Sequence, residues 1–194
     1  MKKDIIFNDI VLITPDIFDD KRGFFSEIYN RKSFEKLGIN VDFVQDNFSF
    51  SENANTLRGI HFQSPPFAQS KLIRVVSGSI FDIFIDLRKD SETYEQYGSF
   101  NLSPDDGWLF IPKGFAHGFV TMKDKTNVMY KVDSYYNNDF ENGIKWNDDF
   151  FSIDWPIDKE KIIISEKDSC LPLWKNIREE INLWSWSWKK SVFL

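Results

Sequence analysis

The sequence predicts an all-β fold, an antiparallel sandwich or barrel with a few short helices. Segments rich in β-branched and aromatic residues recur along the chain at intervals of roughly 8–12 residues. Turn-forming residues separate them, as at Ser77-Gly78, Ser103 to Gly107 and Pro112 to Gly114. This spacing favours an antiparallel arrangement over a parallel sheet built from strand–helix–strand units.

Each predicted strand is a short run of this composition. The predicted strands are Ile10 to Ile13, Gly23 to Tyr29, Phe43 to Phe50, Leu72 to Val76, Ser79 to Asp86, Trp108 to Ile111 and Val128 to Val132. One helix is predicted from Asn30 to Gly38, because Asn30 can cap its first turn and Gly38 suits the position just past its end. There is no internal repeat and no linker, so residues 1–172 are expected to form a single domain.

Residues 173–194 differ in character and predict an amphipathic helix followed by a Trp-rich tail. Apolar residues recur at spacings of four, four and three, with Pro172 in the first turn; they are Leu173, Ile177, Ile181 and Trp184. Residues 184–188 alternate tryptophan with serine, so an extended segment would place three indoles on one face. Such a face is expected to pack on the body of the protein or on a partner. A terminus without fixed structure is the alternative.

The composition describes a folded chain with a modest acidic excess. Of 194 residues, 42% are hydrophobic and 17% aromatic, which argues against disorder. The formal net charge of −6 disfavours a nucleic-acid or membrane-surface partner, so any anionic ligand must meet a local cluster of cations. Cys170 is the only cysteine, which excludes an intramolecular disulfide. No signal peptide or membrane span is recognisable, and we expect a cytoplasmic protein.

One stretch concentrates polar chemistry. Residues 58–63, Arg-Gly-Ile-His-Phe-Gln, are followed by Lys71 and Arg74, with a Pro-Pro pair breaking the run into two extended pieces. Nearby positive charge favours the neutral imidazole, which can accept a proton, and the same cations suit a phosphorylated ligand. The stretch therefore predicts a base beside an anion-binding surface. A surface loop with scattered charge is the alternative.

A metal site is not expected, and no other cofactor is implied. A metal in a small double-stranded β-helix usually needs a His-x-His pair, a carboxylate and a further histidine. The residue two positions after His61 is Gln63, and the only other histidine, His117, lies 56 residues further along the chain. Two isolated histidines do not supply a set of metal ligands.

Three further polar residues lie among apolar or aromatic neighbours. His117 can donate to a ligand phosphate, or it can be a hydrogen-bonded histidine inside a barrel. Tyr130 lies in a predicted strand, where tyrosine usually belongs to the core. Asp168 lies in a predicted loop, where aspartate is usually solvated or caps a helix. Sequence spacing alone does not bring Tyr130 or Asp168 to His61.

A collinear series of motifs resembles the dTDP-4-dehydrorhamnose 3,5-epimerase family from about residue 5 to residue 172. The motifs are Arg22 to Phe25, Phe43 to Asn47, Leu57 to Gln63, Gln69 to Arg74, Phe81 to Ile83, Ile111 to Phe119, Tyr130-Lys131, Gly143 to Asp148, Ile153 to Pro156 and Ser165 to Asp168. Their shared order makes the resemblance more specific than any single motif. It implies a cupin-type jelly roll, a homodimer and no metal ion.

The resemblance also implies roles for individual residues. His61 matches the general base of the family, and Asp168 matches the carboxylate that orients this base. Tyr130 matches the acid on the opposite face of the sugar, and Lys71 matches the cation beside the sugar ketone. Contacts to a nucleotide-diphosphate 4-keto sugar are implied for Arg22, Glu27, Gln45, Asp46, Asn47, Arg58, His117, Glu141 and Lys167.

The reaction implied by the resemblance inverts C3 and C5 of dTDP-4-dehydro-6-deoxyglucose and yields dTDP-4-dehydrorhamnose. The 4-keto group acidifies the C–H bonds on both neighbouring carbons, so a base on one face and a proton donor on the other can invert each centre. The alternatives are an epimerase acting at C3 or C5 alone, a 3,4-ketoisomerase, and a non-catalytic protein that binds nucleotide sugars. The complete set of four matching residues disfavours the last two.

Overall fold

The structure, a computed structural model, describes residues 1–182 as two β-sheets, a two-stranded ribbon and a few short helices. The strands are β1 (Lys2–Phe7), β2 (Ile10–Thr14), β3 (Phe18–Asp20), β4 (Gly23–Phe25), β5 (Gln45–Ser51), β6 (Leu57–Gln63), β7 (Lys71–Ser77), β8 (Ile80–Asp86), β9 (Tyr97–Leu102), β10 (Trp108–Ile111), β11 (Phe115–Thr121), β12 (Thr126–Val132) and β13 (Glu141–Gly143). The helices are α1 (Arg31–Lys36), α2 (Glu166–Ser169) and α3 (Trp174–Asn182), with single 3-10 turns at Asn138–Phe140 and Lys159–Lys161.

All the strand pairings within the sheets are antiparallel, and many join segments that are distant in sequence. The six-stranded sheet has the order β1-β2-β10-β7-β12-β5, and the five-stranded sheet has the order β13-β6-β11-β8-β9. Strands that are neighbours in a sheet, such as β2 and β10 or β6 and β11, are therefore far apart in the sequence. This topology is a jelly-roll sandwich of the cupin type, and the predicted fold class is confirmed.

The core lies between the two sheets and follows the alternation of side chains along each strand. Ile73 and Val75 of β7 belong to one fully buried cluster with Phe84 of β8 in the opposite sheet. Leu72, one position before Ile73, points to the other face, where it packs in a second cluster with Phe34 of α1. Both faces of β7 are thus buried, since successive side chains of a strand point to opposite sides.

Helix α1 forms where the sequence predicted it. The side chain of Asn30 accepts the backbone N–H groups of Lys32 at 3.0 Å and Ser33 at 3.4 Å. Such a cap stabilises a helix by about 1 kcal/mol relative to alanine. Gly38 follows the last turn with φ of +85°, a conformation that glycine adopts without strain.

The predicted strand from Gly23 to Tyr29 was wrong beyond Phe25. Strand β3 is only three residues long and pairs Phe18 with Phe25, so the residues after Phe25 have no partner strand. The carbonyl of Ile28 instead accepts the indole N–H of Trp108 at 2.6 Å. Strands β1, β3, β9 and β13 were not predicted, because polar residues interrupt their patterns and their pairing comes from β2, β4, β8 and β6.

A C-terminal helix follows the predicted domain, but it begins two residues after Pro172 rather than around it. The side chains of Trp174 and Ile181 in α3 are buried against the outer side of the five-stranded sheet. The indole N–H of Trp174 donates to Glu95 at 2.8 Å, which fixes the first turn of α3. The predicted tryptophan-rich segment, residues 184–188, lies outside the described residues. Within residues 1–182, no helix is long and apolar enough to cross a membrane.

Candidate active site

Adjacent strands of the five-stranded sheet place the two histidines side by side. His61 of β6 pairs in register with His117 of β11. His117 lies between Phe115 and Phe119, which belong to the core cluster shared by the two sheets. The residues on either side of His61 pack on the other face of the five-stranded sheet. Both imidazoles therefore belong to the face that meets the six-stranded sheet.

His61 forms a dyad with Asp168 of α2. Its Nε2 lies 2.9 Å from Oδ1 of Asp168, while the other carboxylate oxygen accepts the backbone N–H of Gly59 at 3.0 Å. Burial opposes ionisation of Asp168, but its hydrogen bonds with His61 and Gly59 outweigh that effect and lower the pKa of Asp168. An ionised carboxylate can only accept hydrogen bonds. The Nε2 proton is therefore directed to Asp168, and Nδ1 of His61 is left as the basic atom.

Gly59 lies at a close approach of β6 to β11. A Cβ atom at Gly59 would lie 2.6 Å from Cα of Gly118 and 2.8 Å from the carbonyl oxygen of His117. Its φ of +114° is also one that residues with side chains rarely adopt. A side chain at this position would push the strands apart and remove the hydrogen bond that holds Asp168.

His117 forms a second pair, with Asp82 of β8. Its Nε2 lies 2.9 Å from Oδ2 of Asp82, and both residues are buried. Burial lowers the pKa of His117 and the charge of Asp82 opposes this only in part, so the neutral imidazole is favoured. Burial likewise raises the pKa of Asp82, against the charges of His117 and Lys71. No role was predicted for Asp82, although it lies in the motif from Phe81 to Ile83 and is an aspartate inside an otherwise apolar strand.

Lys71 begins β7 in the six-stranded sheet and reaches across to the five-stranded one. Its Nζ donates to the backbone carbonyl of His61 at 3.3 Å. Burial lowers the pKa of Lys71 to about 8, although the charges of Asp82 and Glu141 act in the opposite direction. A pKa near 8 leaves most of the ammonium protonated at pH 7. The site therefore holds a cation that water screens poorly.

Tyr130 lies on the sheet opposite His61. It belongs to β12 and pairs with Asn47 of β5 and Ile73 of β7. Burial raises the pKa of Tyr130; the charge of Arg58 lowers it and the charge of Glu141 raises it. Arg58 and Glu141 belong to the five-stranded sheet, so charges on that sheet act on the Tyr130 hydroxyl from the opposite side. Its hydroxyl is protonated at pH 7 and can act as an acid.

A charged rim adjoins the dyad. Glu141 of β13 accepts hydrogen bonds from the Lys167 ammonium and, at 2.6 Å, from the hydroxyl of Tyr136. Burial opposes ionisation of Glu141, but these two hydrogen bonds outweigh it and lower the pKa of Glu141. Lys167 immediately precedes Asp168 in α2, so the rim and the dyad share an element. Tyr136 was not predicted; the only available signal was a pair of tyrosines following a strand.

Two predicted ligand contacts lie on the same face of β5. Gln45 and Asn47 are both half-buried, and the Gln45 amide donates to Oδ1 of Asn47 at 2.8 Å. Arg58 donates to the carbonyl of Phe50 at 3.0 Å near the end of the same strand. The structure thus links most of the predicted site residues into one polar cluster, formed by Gln45, Asn47, Arg58, His61, Lys71, His117, Tyr130, Glu141, Lys167 and Asp168.

Three predicted contacts lie apart from this cluster. Arg22 is at the tip of the β3–β4 ribbon and pairs with Asp20 at 2.6 Å. Glu27 accepts from the Asn30 side chain at 3.0 Å. Asp46 points to the outer face of β5 and pairs with Lys131 at 2.8 Å. In residues 1–182, none of the three hydrogen-bonds or ion-pairs with the cluster around His61.

Metal ligands do not converge in the part of the chain that the structure describes. Within residues 1–182 there is no group of three or more His, Cys, Asp or Glu side chains placed to hold a metal ion. Nε2 of His61 is directed to the carboxylate of Asp168, and Nε2 of His117 is directed to that of Asp82. The cluster is therefore equipped for proton transfer next to a cation.

Known proteins share both the sequence and this architecture. Residues 4–176 match the family profile of dTDP-4-dehydrorhamnose 3,5-epimerase. The dTDP-4-dehydrorhamnose 3,5-epimerase of Salmonella typhimurium is 45% identical over 167 residues, which are 85% of this chain and 90% of that protein. That of Methanothermobacter thermautotrophicus is 43% identical over 171 residues, which are 87% of this chain and 90% of that protein.

Solved structures agree with these relatives. The crystal structure of the Bacillus anthracis dTDP-4-dehydrorhamnose 3,5-epimerase, with TDP and PPi bound, has a TM-score of 0.84 and 50% identity, covering 88% of this chain and 97% of that one. The Legionella pneumophila dTDP-6-deoxy-D-glucose-3,5-epimerase, in complex with dTDP-4-keto-L-rhamnose, has a TM-score of 0.84 and 38% identity, covering 93% and 97%. The chain belongs to the dTDP-4-dehydrorhamnose 3,5-epimerase family.

Proposed function

We propose that this protein inverts C3 and C5 of dTDP-4-dehydro-6-deoxyglucose to give dTDP-4-dehydrorhamnose. The observation that carries the proposal is the His61–Asp168 dyad on one sheet with Tyr130 on the opposite sheet and Lys71 reaching between the sheets. A base and an acid on two sides of one pocket are what inversion of a carbon centre requires. The family membership and the dTDP-sugar complex of the Legionella relative support the substrate.

Each inversion is a proton removal followed by a proton return. Nδ1 of His61 takes the proton from C3 or C5, and the C–H electron pair moves into an enolate whose oxygen is the former 4-keto oxygen. The Lys71 ammonium stabilises that oxygen as its charge develops, a contribution of about 3–4 kcal/mol for a comparable oxyanion donor. The Tyr130 hydroxyl then donates a proton to the same carbon from the opposite face, and the ketone re-forms.

The nucleotide part of the substrate is expected to contact the cationic and amide side chains around this pocket. Arg58 and Lys167 offer N–H donors that suit the two phosphates. Gln45 and Asn47 offer amides on the half-buried face of β5. The cluster supplies three cations, Arg58, Lys71 and Lys167, for the diphosphate and the enolate, although the chain as a whole has a net charge of −6.

We infer a homodimer, which would account for the predicted contact of Arg22 that lies apart from the cluster. The β3–β4 ribbon exposes Phe18, Phe24 and Phe25 by 59%, 69% and 69%, and the outer face of β5 exposes Phe48 by 65%. Apolar patches of this kind are characteristic of interfaces. If a partner subunit covers the β3–β4 ribbon, Arg22 of one protomer approaches the pocket of the other protomer. This arrangement supports a ligand-binding role for the ribbon.

We also infer that the protein acts in the cytoplasm, with residues 1–172 as the catalytic domain and residues 173–194 as an appended segment. The free thiol of Cys170 suits a reducing compartment. Helix α3, the first part of that segment, packs outside the sandwich on the side of the five-stranded sheet that faces away from His61. No residue of α3 belongs to the polar cluster.

The function is tested by following deuterium from the solvent into the sugar. Incubation with dTDP-4-dehydro-6-deoxyglucose in deuterated water is expected to label both C3 and C5 and to yield dTDP-4-dehydrorhamnose, measured by NMR and mass spectrometry. Label and inversion at a single carbon would assign the protein to the single-centre epimerases instead. A folded protein that binds dTDP without any exchange would be a non-catalytic nucleotide-sugar-binding protein.

Metal independence is a separate expectation. Exhaustive chelation is expected to leave the rate of exchange unchanged, because the proposed steps use only imidazole, ammonium and phenol groups. A zinc hydrolase treated in the same buffer serves as the control for complete chelation. The expectation fails if the purified protein contains stoichiometric metal whose removal stops turnover and whose return restores it.

A further inference from the structure

Gln63 has no part in the proton transfer, yet it lies on the same strand and the same face as His61. The two residues are separated by one position in β6, so their side chains point to the same side of the sheet. Gln63 is only 5% exposed and pairs in register with Glu141 of β13. A metal-binding β-helix would have its second histidine at this position, and here the strand carries an amide instead.

All the hydrogen-bonding groups of the Gln63 amide are used, and all of them meet backbone atoms. Nε2 donates to the carbonyl of Phe67 at 2.8 Å and to the carbonyl of Tyr135 at 3.3 Å. Oε1 accepts the N–H of Asn137 at 2.7 Å. One buried side chain therefore holds the backbone immediately before and immediately after Tyr136. A buried amide with these three bonds fixes a loop more firmly than apolar packing does.

Tyr136 is held at two further points. Its own backbone N–H donates to Oε1 of Gln45 at 3.1 Å, and its hydroxyl donates to Glu141 at 2.6 Å. The ring itself is half-exposed at the edge of the pocket. The position of Tyr136, and with it one of the two hydrogen bonds that orient the Glu141 carboxylate, depends on a loop fixed by Gln63.

We propose that Gln63 is a positioning residue for nucleotide binding: it fixes the loop of Tyr136 so that Tyr136 and Glu141 present a preformed rim to the ligand. This proposal rests on the proposed function, because the ligand is the nucleotide diphosphate of the substrate. A preformed rim lowers the cost of ordering the loop when ligand binds. Gln63 therefore acts on affinity, and His61 acts on the chemical step.

The decisive variant is Gln63→Met, which keeps the length of the side chain and removes all three hydrogen bonds. The affinity for dTDP, measured by calorimetry, is expected to fall by about tenfold, and KM is expected to rise by a similar factor. The turnover number at saturating substrate is expected to change by less than about threefold. Without ligand, the amide of Asn137 is expected to exchange faster with solvent, because its acceptor is gone.

Gln69→Met is the matched control. The Gln69 amide also joins the loop before β7 to the loop after β12. It donates to the carbonyl of Ser134 at 2.7 Å, but it makes no bond next to Tyr136. Its replacement is expected to leave dTDP affinity within about twofold of wild type. The double variant Gln63→Met/Tyr136→Phe is expected to have the same dTDP affinity as the single variant with the lower affinity, since both changes act on one rim.

The outcomes separate this proposal from the proposed function. Wild-type dTDP affinity and wild-type exchange of the Asn137 amide in Gln63→Met would overturn the role of Gln63 alone. Additive losses in the double variant would also overturn it. Failure of the wild-type protein to bind dTDP would contradict the proposed function, and with it the ligand assigned here. If Gln63→Met does not fold, Gln63→Asn keeps the amide but shortens its reach, and the same measurements apply.

Discussion

His61→Ala is expected to abolish solvent exchange at both C3 and C5 while the fold stays intact. Loss of a general base typically costs about 10²–10⁴ in rate. The imidazole is partly exposed, and within residues 1–182 its ring hydrogen-bonds only to Asp168, so the sandwich does not depend on it. Exchange is measured by deuterium incorporation, and folding by thermal unfolding and circular dichroism. Near-normal exchange in a well-folded His61→Ala protein would remove His61 from the role of base.

Asp168→Asn provides the companion variant. Its amide can donate to Nε2 of His61, which forces the proton onto Nδ1 and removes the free basic atom. A large loss of exchange is therefore expected even though the imidazole remains in place. Asp168→Asn also weakens the hydrogen bond from Gly59, so unfolding is measured in parallel. Retained exchange in this variant would show that the dyad does not set the tautomer of His61.

Tyr130→Phe is expected to separate proton removal from inversion. The change removes only the hydroxyl, with almost no change in volume, so His61 can still deprotonate the sugar. Return of a proton to the opposite face is slowed, and the proton or deuteron comes back from the original face. The substrate is expected to acquire deuterium with retained configuration, while formation of inverted product falls about 10²–10⁴-fold.

Exchange and inversion must be measured on the same sample for this comparison. The His61→Ala protein is the matched control, because it is expected to lose both signals together. If Tyr130 were only a core aromatic, stability, exchange and inversion would fall in parallel or not change at all. Inversion at the wild-type rate in Tyr130→Phe would mean that another group supplies the proton.

The site residues divide into those that the motifs indicated and those that needed the fold. The stretch from Arg58 to Gln63 indicated a base among cations, and the structure places Lys71 beside the strand of His61. No role was predicted for Asp82, which lies in one of the motifs, or for Tyr136, which lies in none. An aspartate in an apolar strand becomes informative only when β11 brings His117 against it. A loop tyrosine becomes informative only when its hydroxyl meets Glu141.

The sequence by itself determined the all-β class, helix α1 and most of the strands, because these depend on alternation, caps and turns that neighbouring residues encode. It also determined the residue types of the pocket through the ordered motifs. The family resemblance implied that Asp168 orients His61 and that Tyr130 acts from the opposite face. Only the tertiary structure shows how α2 reaches β6 over 107 residues to make this contact, and that Tyr130 lies on the sheet opposite. Strand β4 ends early because its partner β3 has only three residues, and β1 forms because β2 is there to pair with it. Sheet pairing depends on the partner strand as well as on the strand itself, and no local pattern records which partner is present.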